Sequence, residues 1–331
     1  MAARDESQAD IDATVESILR SDYTGRIEVI VVDDASKIPI PEMPACKVIR
    51  LDKPVGCSAA RKVGIDAATG RYICIVDPHM RIGVPVIGRL MAICRDTGGW
   101  SYAACNGRRS CSMTLDADGT IGMHWDGRPG ETGVVKSTGM MGACYMAAKD
   151  VIDRVGWVNL PAERGHCELA QSLRAHQHKI PIHVDLDLTD SNYHRFRDGN
   201  TVPVKMDVAN YHYNEVVAVY LSTRASWERW ASTLVRRSKG RIRAELIKRV
   251  SQEYGEQRLE AQQEFVCQDD NEWIKEIEDA SKLRNAHVRP RNTFKGHGGV
   301  LLDAGRATTR SATDNLKRQP PTGNVRRRIL I

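Results

Sequence analysis

The chain has 331 residues, a formal net charge of +6 and a pI of about 8.8, with 41% hydrophobic and 27% charged residues. That balance is ordinary for a soluble globular protein, and the length suits one large α/β domain or two domains. No run approaches the ~18 apolar residues of a membrane span, and MAARDESQAD lacks the apolar stretch of a signal peptide. The mild positive charge suits a phosphate-bearing ligand or nucleic acid without selecting either.

In chain order, Ile11, Val15, Ile18 and Leu19 share a helical face after Asp10, a candidate N-cap. IEVIVV (27–32) is a buried strand ending in Asp33-Asp34, and KVIRL (47–51) a shorter one. CSAARKVGIDAA (57–68) predicts a helix stopped by Thr69-Gly70, and RYICIV (71–76) a third strand running into VDPHM. A helix over 84–94, a strand from Trp100, a hairpin turning at Asp118-Gly119 and a small-residue strand within 139–148 follow. A short helix closes on Gly156, Glu168–His176 is helical, and PIHVDLDL (181–188) is a strand. Alternating strands and helices argue for a mostly parallel sheet covered by helices, which binds ligands at the carboxyl ends of its strands. Asp33-Asp34 and the Asp77/His79 pair both occupy such ends and so would face one crevice, although a lone D-x-H is also ordinary turn chemistry.

From about Val216 a long helical stretch containing Trp227 and Trp230 runs into the basic segment 235–250, and the last forty or so residues are rich in Gly, Pro, Arg and Thr. Nine cysteines are scattered without a C-x-x-C, and Cys74, Cys94 and Cys144 sit in apolar surroundings. They read as reduced, mostly buried thiols of a cytoplasmic protein rather than a zinc site or disulfide framework. With only three Phe, the core must lean on aliphatic residues and Met.

Three blocks, EVIVVDDAS, GCSAARKVGIDAATGRYICIVDPH and CELAQSLRAHQHKIPIHVDLDLTDSNYHRFR, resemble the family 2 glycosyltransferases, nucleotide-sugar enzymes of the GT-A fold, over residues 4–220. D-x-H in place of D-x-D, with the downstream H-x-F-R at His194–Arg197, is similar to the polypeptide N-acetylgalactosaminyltransferases. The resemblance implies a Rossmann-like α/β GT-A domain over 1–220, followed by a helical basic region over 221–285 and a loosely ordered tail over 286–331. It implies Asp77, His79 and His194 as ligands of Mn²⁺ or Mg²⁺, and a UDP-sugar as donor. A divalent cation neutralises charge on a departing diphosphate, and Mn²⁺ accepts oxygen and nitrogen donors. Asp33 and Asp34 would hold the uracil or ribose, Arg61 the uracil or diphosphate, and Arg197 the diphosphate, with planar donors suited to phosphate. Gly56 would let the backbone approach closely, and the region 139–145 with Trp157 would lie near the sugar and acceptor.

Two departures qualify the resemblance. The family's G-E-D-x-E-x-S-x-R block becomes Cys167, Glu168 and Ala170 ahead of Ser172 and Arg174, so the catalytic role falls to Glu168, with Glu163 and His166 as alternatives. Lys62 replaces the Asn of A-R-N. The family also opens with an apolar strand, whereas this chain reads MAARDES with no strand ahead of Arg4 and ends in VRRRILI. Either Arg328–Ile331 inserts beside IEVIVV as a natural permutation would, or the start codon is truncated or the terminus a frayed tail. The resemblance implies a hydroxyl acceptor, on a polysaccharide, a protein or a small molecule. The basic stretch 236–249 with Trp227 and Trp230 points to nucleic acid, which would make a hydroxymethylated DNA base one such acceptor; a noncatalytic nucleotide-sugar or nucleic-acid binder is the competing reading.

Overall fold

In a computed structural model, residues 1–115, 121–126, 128, 130–140, 143–161, 163–195, 208–224, 226–237 and 241–287 are described. The chain opens with a strand after all. β1 (Ala2–Ala3) pairs in parallel with β2 (Ile30–Asp33), Ala2 opposite Val32 and Ala3 opposite Asp33. The expected absence of a strand ahead of Arg4 is therefore corrected: two small residues, too few for any periodicity, take the place beside β2. The expected insertion of Arg328–Ile331 lies outside the described residues.

Helix α1 (Gln8–Leu19) is capped by Ser7, whose hydroxyl accepts from the Asp10 amide at 3.2 Å, so the cap sits three residues earlier than the sequence suggested. Asp10 instead turns its buried carboxylate to Ser7 and to Arg195. β2 is buried along its whole length and pairs with β3 (Lys47–Arg50), also in parallel. Helix α2 (Cys57–Ala67) starts at Gly56, where φ of 89° suits a residue without a Cβ. β4 (Tyr72–Val76), the short β5 (Met80–Arg81) and α3 (Val86–Thr97) follow, with Gly98 closing α3 in the left-handed region.

β6 (Trp100–Tyr102) leads to a hairpin of β7 (Ser110–Leu115) and β8 (Ile121–Asp126), whose expected turn at Asp118-Gly119 lies outside the described residues. Then come β9 (Val134–Ser137), β10 (Cys144–Ala148), α4 (Lys149–Val155) ended by Gly156, and α5 (Cys167–Gln177). β11 (Ile182–Asp185) is shorter than PIHVDLDL suggested, because Asp185 caps a 3₁₀ turn over Leu186–Ser191 by accepting from the Asp187 amide. β12 (Tyr193–His194) precedes the helices α6 (Val208–Ser222), α7 (Ser226–Arg237), α8 (Arg241–Glu253), α9 (Gly255–Glu264) and α10 (Asn271–His287).

The strands form a parallel three-stranded sheet, β1-β2-β3, and a five-stranded sheet ordered β4-β10-β6-β11-β9. The α/β architecture with flanking helices is the expected one. Its parallel character lies in the smaller sheet and in the β6–β11 pair, because β10 enters between β4 and β6 antiparallel to both. One apolar core packs α1 and α3 against the sheets, through Ile11, Val15, Val31, Ile75, Leu90 and Trp100. A second core gathers Leu169 and Leu173 of α5 with Val216, Val217 and Val219 of α6 and the indoles of Trp227, Trp230 and Trp273. Helix α6 packs against α5, α8 and α9, which explains why Val216–Val219 are apolar without a polar face.

That second core overturns part of the nucleic-acid reading. Trp227 and Trp230 are buried and stack on each other with ring centroids 5.8 Å apart, so neither is available to a base. Arg249 is paired with Glu253 at 2.7 Å and lies over the Tyr213 ring. All nine cysteines are thiols, six of them buried, and burial pushes Cys94 up to about 11 and Cys105 up to about 12. Among the described residues no helix is long and apolar enough to cross a membrane.

Candidate active site

The end of β4 and the ribbon of β5 with β12 bring together residues 117 positions apart in sequence. Asp77 leaves β4 with its amide donating to the Ala143 carbonyl at 3.0 Å. The Thr14 hydroxyl of α1 then sits 3.0 Å from the Pro78 carbonyl and 2.8 Å from that of Met80, pinning the turn that carries His79. β12 pairs antiparallel with β5, His194 opposite Met80, and the Arg195 amide donates to the His79 carbonyl at 3.2 Å. Asn106 fixes His194 from the other side: its Oδ1 accepts from the His194 amide and its Nδ2 donates to the His194 carbonyl, both at 2.8 Å. Asn106 holds φ of 54°, a conformation asparagine tolerates better than most residues.

The result is a convergence of three ligand atoms. The Nε2 atoms of His79 and His194 stand 3.1 Å apart, and His194 Nε2 is 3.4 Å from Asp77 Oδ2. The ligand atoms of Asp77, His79 and His194 all lie within 4.8 Å of one another, on side chains 23%, 15% and 11% exposed. Adjacent ligands of an ion bound at about 2.0–2.2 Å are separated by about 3 Å, which the two separations at His194 approach, so this donor set could hold a divalent cation. Two imidazole nitrogens with one carboxylate suit Mn²⁺ or Zn²⁺ better than Ca²⁺. Glu6 places Oε1 3.6 Å from His79 Nδ1, a carboxylate behind a ligand imidazole of the kind that orients metal-binding histidines.

Arg61 ties this triad to the start of α5. Its guanidinium is 7% exposed and donates to Asp77 Oδ1 at 2.8 Å and to Glu168 Oε1 at 2.7 Å, with the Tyr145 hydroxyl 3.4 Å away. Burial pushes the Asp77 carboxyl up, but hydrogen bonding with His194 and the Arg61 charge outweigh it and hold the group well below the usual carboxylate range. One buried cation between two carboxylates satisfies its donors in opposite directions and fixes the distance between the β4 end and α5. The Cys167 thiol, standing in the departed catalytic block, and the Arg61 charge together hold the Cys57 thiol below its usual range against the opposing effect of burial.

The other sequence candidates fall as follows. Glu168, in the first turn of α5, is the one of the three acid–base candidates joined to the triad through Arg61. Glu163 pairs with Arg4 at 3.8 Å, and His166 caps α5 in a left-handed conformation with its buried ring against Tyr211. Asp33 is fully buried, accepting from the Ser36 and Ile40 amides and from Arg50. Asp34 accepts from the Val55 and Gly56 amides at 2.6 and 3.1 Å and so sets the entry to α2. Trp157 donates to the Ser58 carbonyl, and the Met140 amide donates to the Ser172 hydroxyl, whereas residues 141–142 and Arg197 lie outside the described residues. Glu6, Thr14, Asn106 and Tyr145 were not singled out from sequence. Asn106-Gly107 carried a turn signal, but nothing in it marked His194 as the group the turn would hold.

Comparison with known proteins bears on the fold that carries this site. Residues 1–99 match the family model described as "Glycosyl transferase family 2". A solved structure described as "Crystal structure of GalNAc-T7 with UDP, GalNAc and Mn2+" superposes with a TM-score of 0.62 at 17% identity, covering 88% of this chain and 58% of that one. No curated protein sequence matches the chain. The motif-based resemblance to family 2 glycosyltransferases, and to N-acetylgalactosaminyltransferase-like enzymes among them, is thus borne out, and the fold is that of a GT-A enzyme. Neither finding supports a modified DNA base as the acceptor.

Proposed function

We propose that the chain moves a sugar from a nucleotide-sugar donor, uridine-linked, to a hydroxyl acceptor. The observation that carries this reading is the convergence of Asp77, His79 and His194 from two distant segments onto one point, beside the Arg61–Glu168 pair. Those three residues would hold Mn²⁺ or Mg²⁺, whose charge, when bound, offsets that of the departing diphosphate. Asp77 is already ionised and needs no deprotonation to serve as a ligand. Asn106 fixes the backbone that carries His194, and the Glu6 carboxylate lies beside the His79 imidazole.

Arg61 is the chain's own cation at the site. Its two carboxylate partners position it where negative charge builds up on a leaving group, and preorganised charge of this kind costs no reorientation during reaction. Glu168 holds Oε1 on Arg61 with 22% of its side chain exposed, and it is the group to which we assign orienting an acceptor hydroxyl or taking its proton. Asp33 and Asp34 serve the nucleoside through the loops they brace at the carboxyl end of β2, and Arg197 belongs on the diphosphate side.

The test is a screen of UDP-linked sugars with Mn²⁺, read as UDP release and by mass spectrometry of candidate acceptors. Release that requires Mn²⁺, and that is lost in His79→Ala and His194→Ala variants of native fold, supports the reading. Donor turnover that persists in both variants, or in the presence of excess chelator, overturns it.

A further inference from the structure

Helix α1 buries a polar stripe beside its apolar one. Ile11, Val15 and Ile18 enter the main core, while Asp10, Thr14 and Ser17, at i, i+4 and i+7, are only 4%, 0% and 3% exposed. Buried polar groups need partners, and the turn that runs from Asp77 into β5 supplies them. The Thr14 hydroxyl reaches the Pro78 and Met80 carbonyls, and the Ile82 amide donates to Ser17 Oγ at 3.0 Å. Those two residues hold backbone, whereas Asp10 holds side chains. Its Oδ1 accepts from Arg81 Nη2 at 3.4 Å and its Oδ2 from Arg195 Nη1 at 2.7 Å, and the Ser7 hydroxyl donates to Oδ2 at 2.7 Å.

The two arginines come from opposite strands of the ribbon that carries the candidate ligands. Arg81 ends β5, two positions after His79, and Arg195 follows His194 directly, its amide donating to the His79 carbonyl at 3.2 Å. Their side chains are 37% and 54% exposed, so the carboxylate is the buried member and both guanidiniums reach in to it. Two cations on neighbouring strands repel each other. A carboxylate between them replaces that repulsion with attraction to α1 and draws the two strands together. The Nε2 atoms of His79 and His194 stand 3.1 Å apart, so a small spreading of the ribbon takes them out of reach of one ion.

We propose that Asp10 is a positioning residue for the metal site: its buried carboxylate clasps Arg81 and Arg195 and so sets the separation of His79 and His194. It acts through the two arginines and not as a ligand. Thr14 and Ser17 fix the β5 side of the ribbon by its backbone, and Asp10 is the group that joins the β12 side to it. The proposal rests on the metal-dependent reading above for its ion, whereas the clasp belongs to the metal-free chain.

Calorimetric titration with Mn²⁺, and hydrogen exchange of the metal-free protein read by mass spectrometry, test this on the full chain. Asp10→Asn keeps the shape of the side chain and removes its charge. It should weaken Mn²⁺ binding about 10-fold, and peptides spanning residues 79–82 and 192–195 should exchange faster than in the wild type. Ser7→Ala removes the α1 cap and leaves both arginine contacts in place, so it should lower stability with Mn²⁺ affinity unchanged. Arg195→Gln, on a half-exposed side chain, should weaken Mn²⁺ binding too, and joined to Asp10→Asn it should cost no more than Asp10→Asn alone. Should Asp10→Asn fold poorly, Arg195→Gln must give the loss of affinity and the faster exchange by itself. Wild-type Mn²⁺ affinity in Asp10→Asn overturns the proposal, as does unchanged exchange of both peptides. Additive losses in the double variant, or an equal loss of affinity in Ser7→Ala, make Asp10 a merely structural residue and overturn it as well. A wild-type protein that binds no Mn²⁺ overturns the functional reading instead, and exchange of the ribbon then decides the clasp.

Discussion

The carboxyl ends of β2 and β4 carry acids that look alike in sequence and differ in what surrounds them. Asp33 is fully buried and bonded by two backbone amides of the loop that follows β2 and by Arg50 at the end of β3. Asp77 keeps 23% of its side chain exposed, and its partners are Arg61 of α2 and His194, 117 positions away. Both carboxyls are held below their ordinary range against the opposing effect of burial, Asp33 by hydrogen bonds and Asp77 by His194 and Arg61. A strand end therefore does not make an acid functional. Backbone partners fix a loop, whereas side-chain partners that can also bind a cation or an anion make a site.

Substitution separates the two ends most sharply. Asp77→Asn should lower Mn²⁺-dependent donor turnover on the order of 100-fold, since it removes a ligand and one partner of Arg61, and should also lower the urea midpoint, because that buried guanidinium loses a carboxylate. Asp33→Asn should act on stability, costing about 2–4 kcal/mol because Arg50 and two amides lose a buried ionised acceptor. The pH dependence follows from the depressed carboxyl of Asp33. Its contribution is fully present above the ordinary unfolded value of ~3.9 and drains away as pH falls through the lower folded value. Urea curves of the wild type and Asp33→Asn should therefore lie farthest apart near pH 7 and converge in acid. A constant gap from pH 7 to pH 3 would show that Asp33 acts through packing alone.

Arg61→Lys probes the link between the β4 end and α5. An ammonium on a flexible stem cannot bond Asp77 and Glu168 at once in the planar two-sided manner of the guanidinium. Donor turnover should fall on the order of 10-fold through kcat, with Mn²⁺ affinity changed less than in Asp77→Asn. Equal losses in turnover and in Mn²⁺ affinity would mean that Arg61 serves the triad only.

Much of this arrangement could be read from the chain because its strands are continuous apolar runs and its ligands sit in spaced blocks. IVVD ends in an acid and YICIV runs directly into one, and the family resemblance carried by D-x-H and H-x-F-R joined Asp77 and His79 to His194 across more than a hundred residues. What escaped the sequence depended on partners that no local pattern reveals. Ala2–Ala3 becomes a strand only because β2 offers it an edge. Trp227 and Trp230 sit in a basic, amphipathic segment, and only the packing of α6 against α8 and α9 shows that their faces are covered. Ser7 wins the cap of α1 because Asp10 is drawn to Arg195, a residue 185 positions away.

Asn106 offers the finest test of the difference between bracing and binding, since it touches neither Asp77 nor the cleft directly and acts through the His194 backbone. Alanine would add strain at its φ of 54°, so glycine is the informative replacement: it removes both side-chain hydrogen bonds and tolerates the conformation. Asn106→Gly should weaken Mn²⁺ binding by roughly 3–10-fold, the lower range of effects seen when a group supporting a metal ligand is lost. Calorimetric titration of Mn²⁺ measures this directly. Because the His194 imidazole is still present, added Mn²⁺ should restore turnover in Asn106→Gly but not in His194→Ala. If saturating Mn²⁺ fails to rescue the glycine variant, Asn106 does more than aim His194, and the ribbon of β5 and β12 must itself take part in holding the donor.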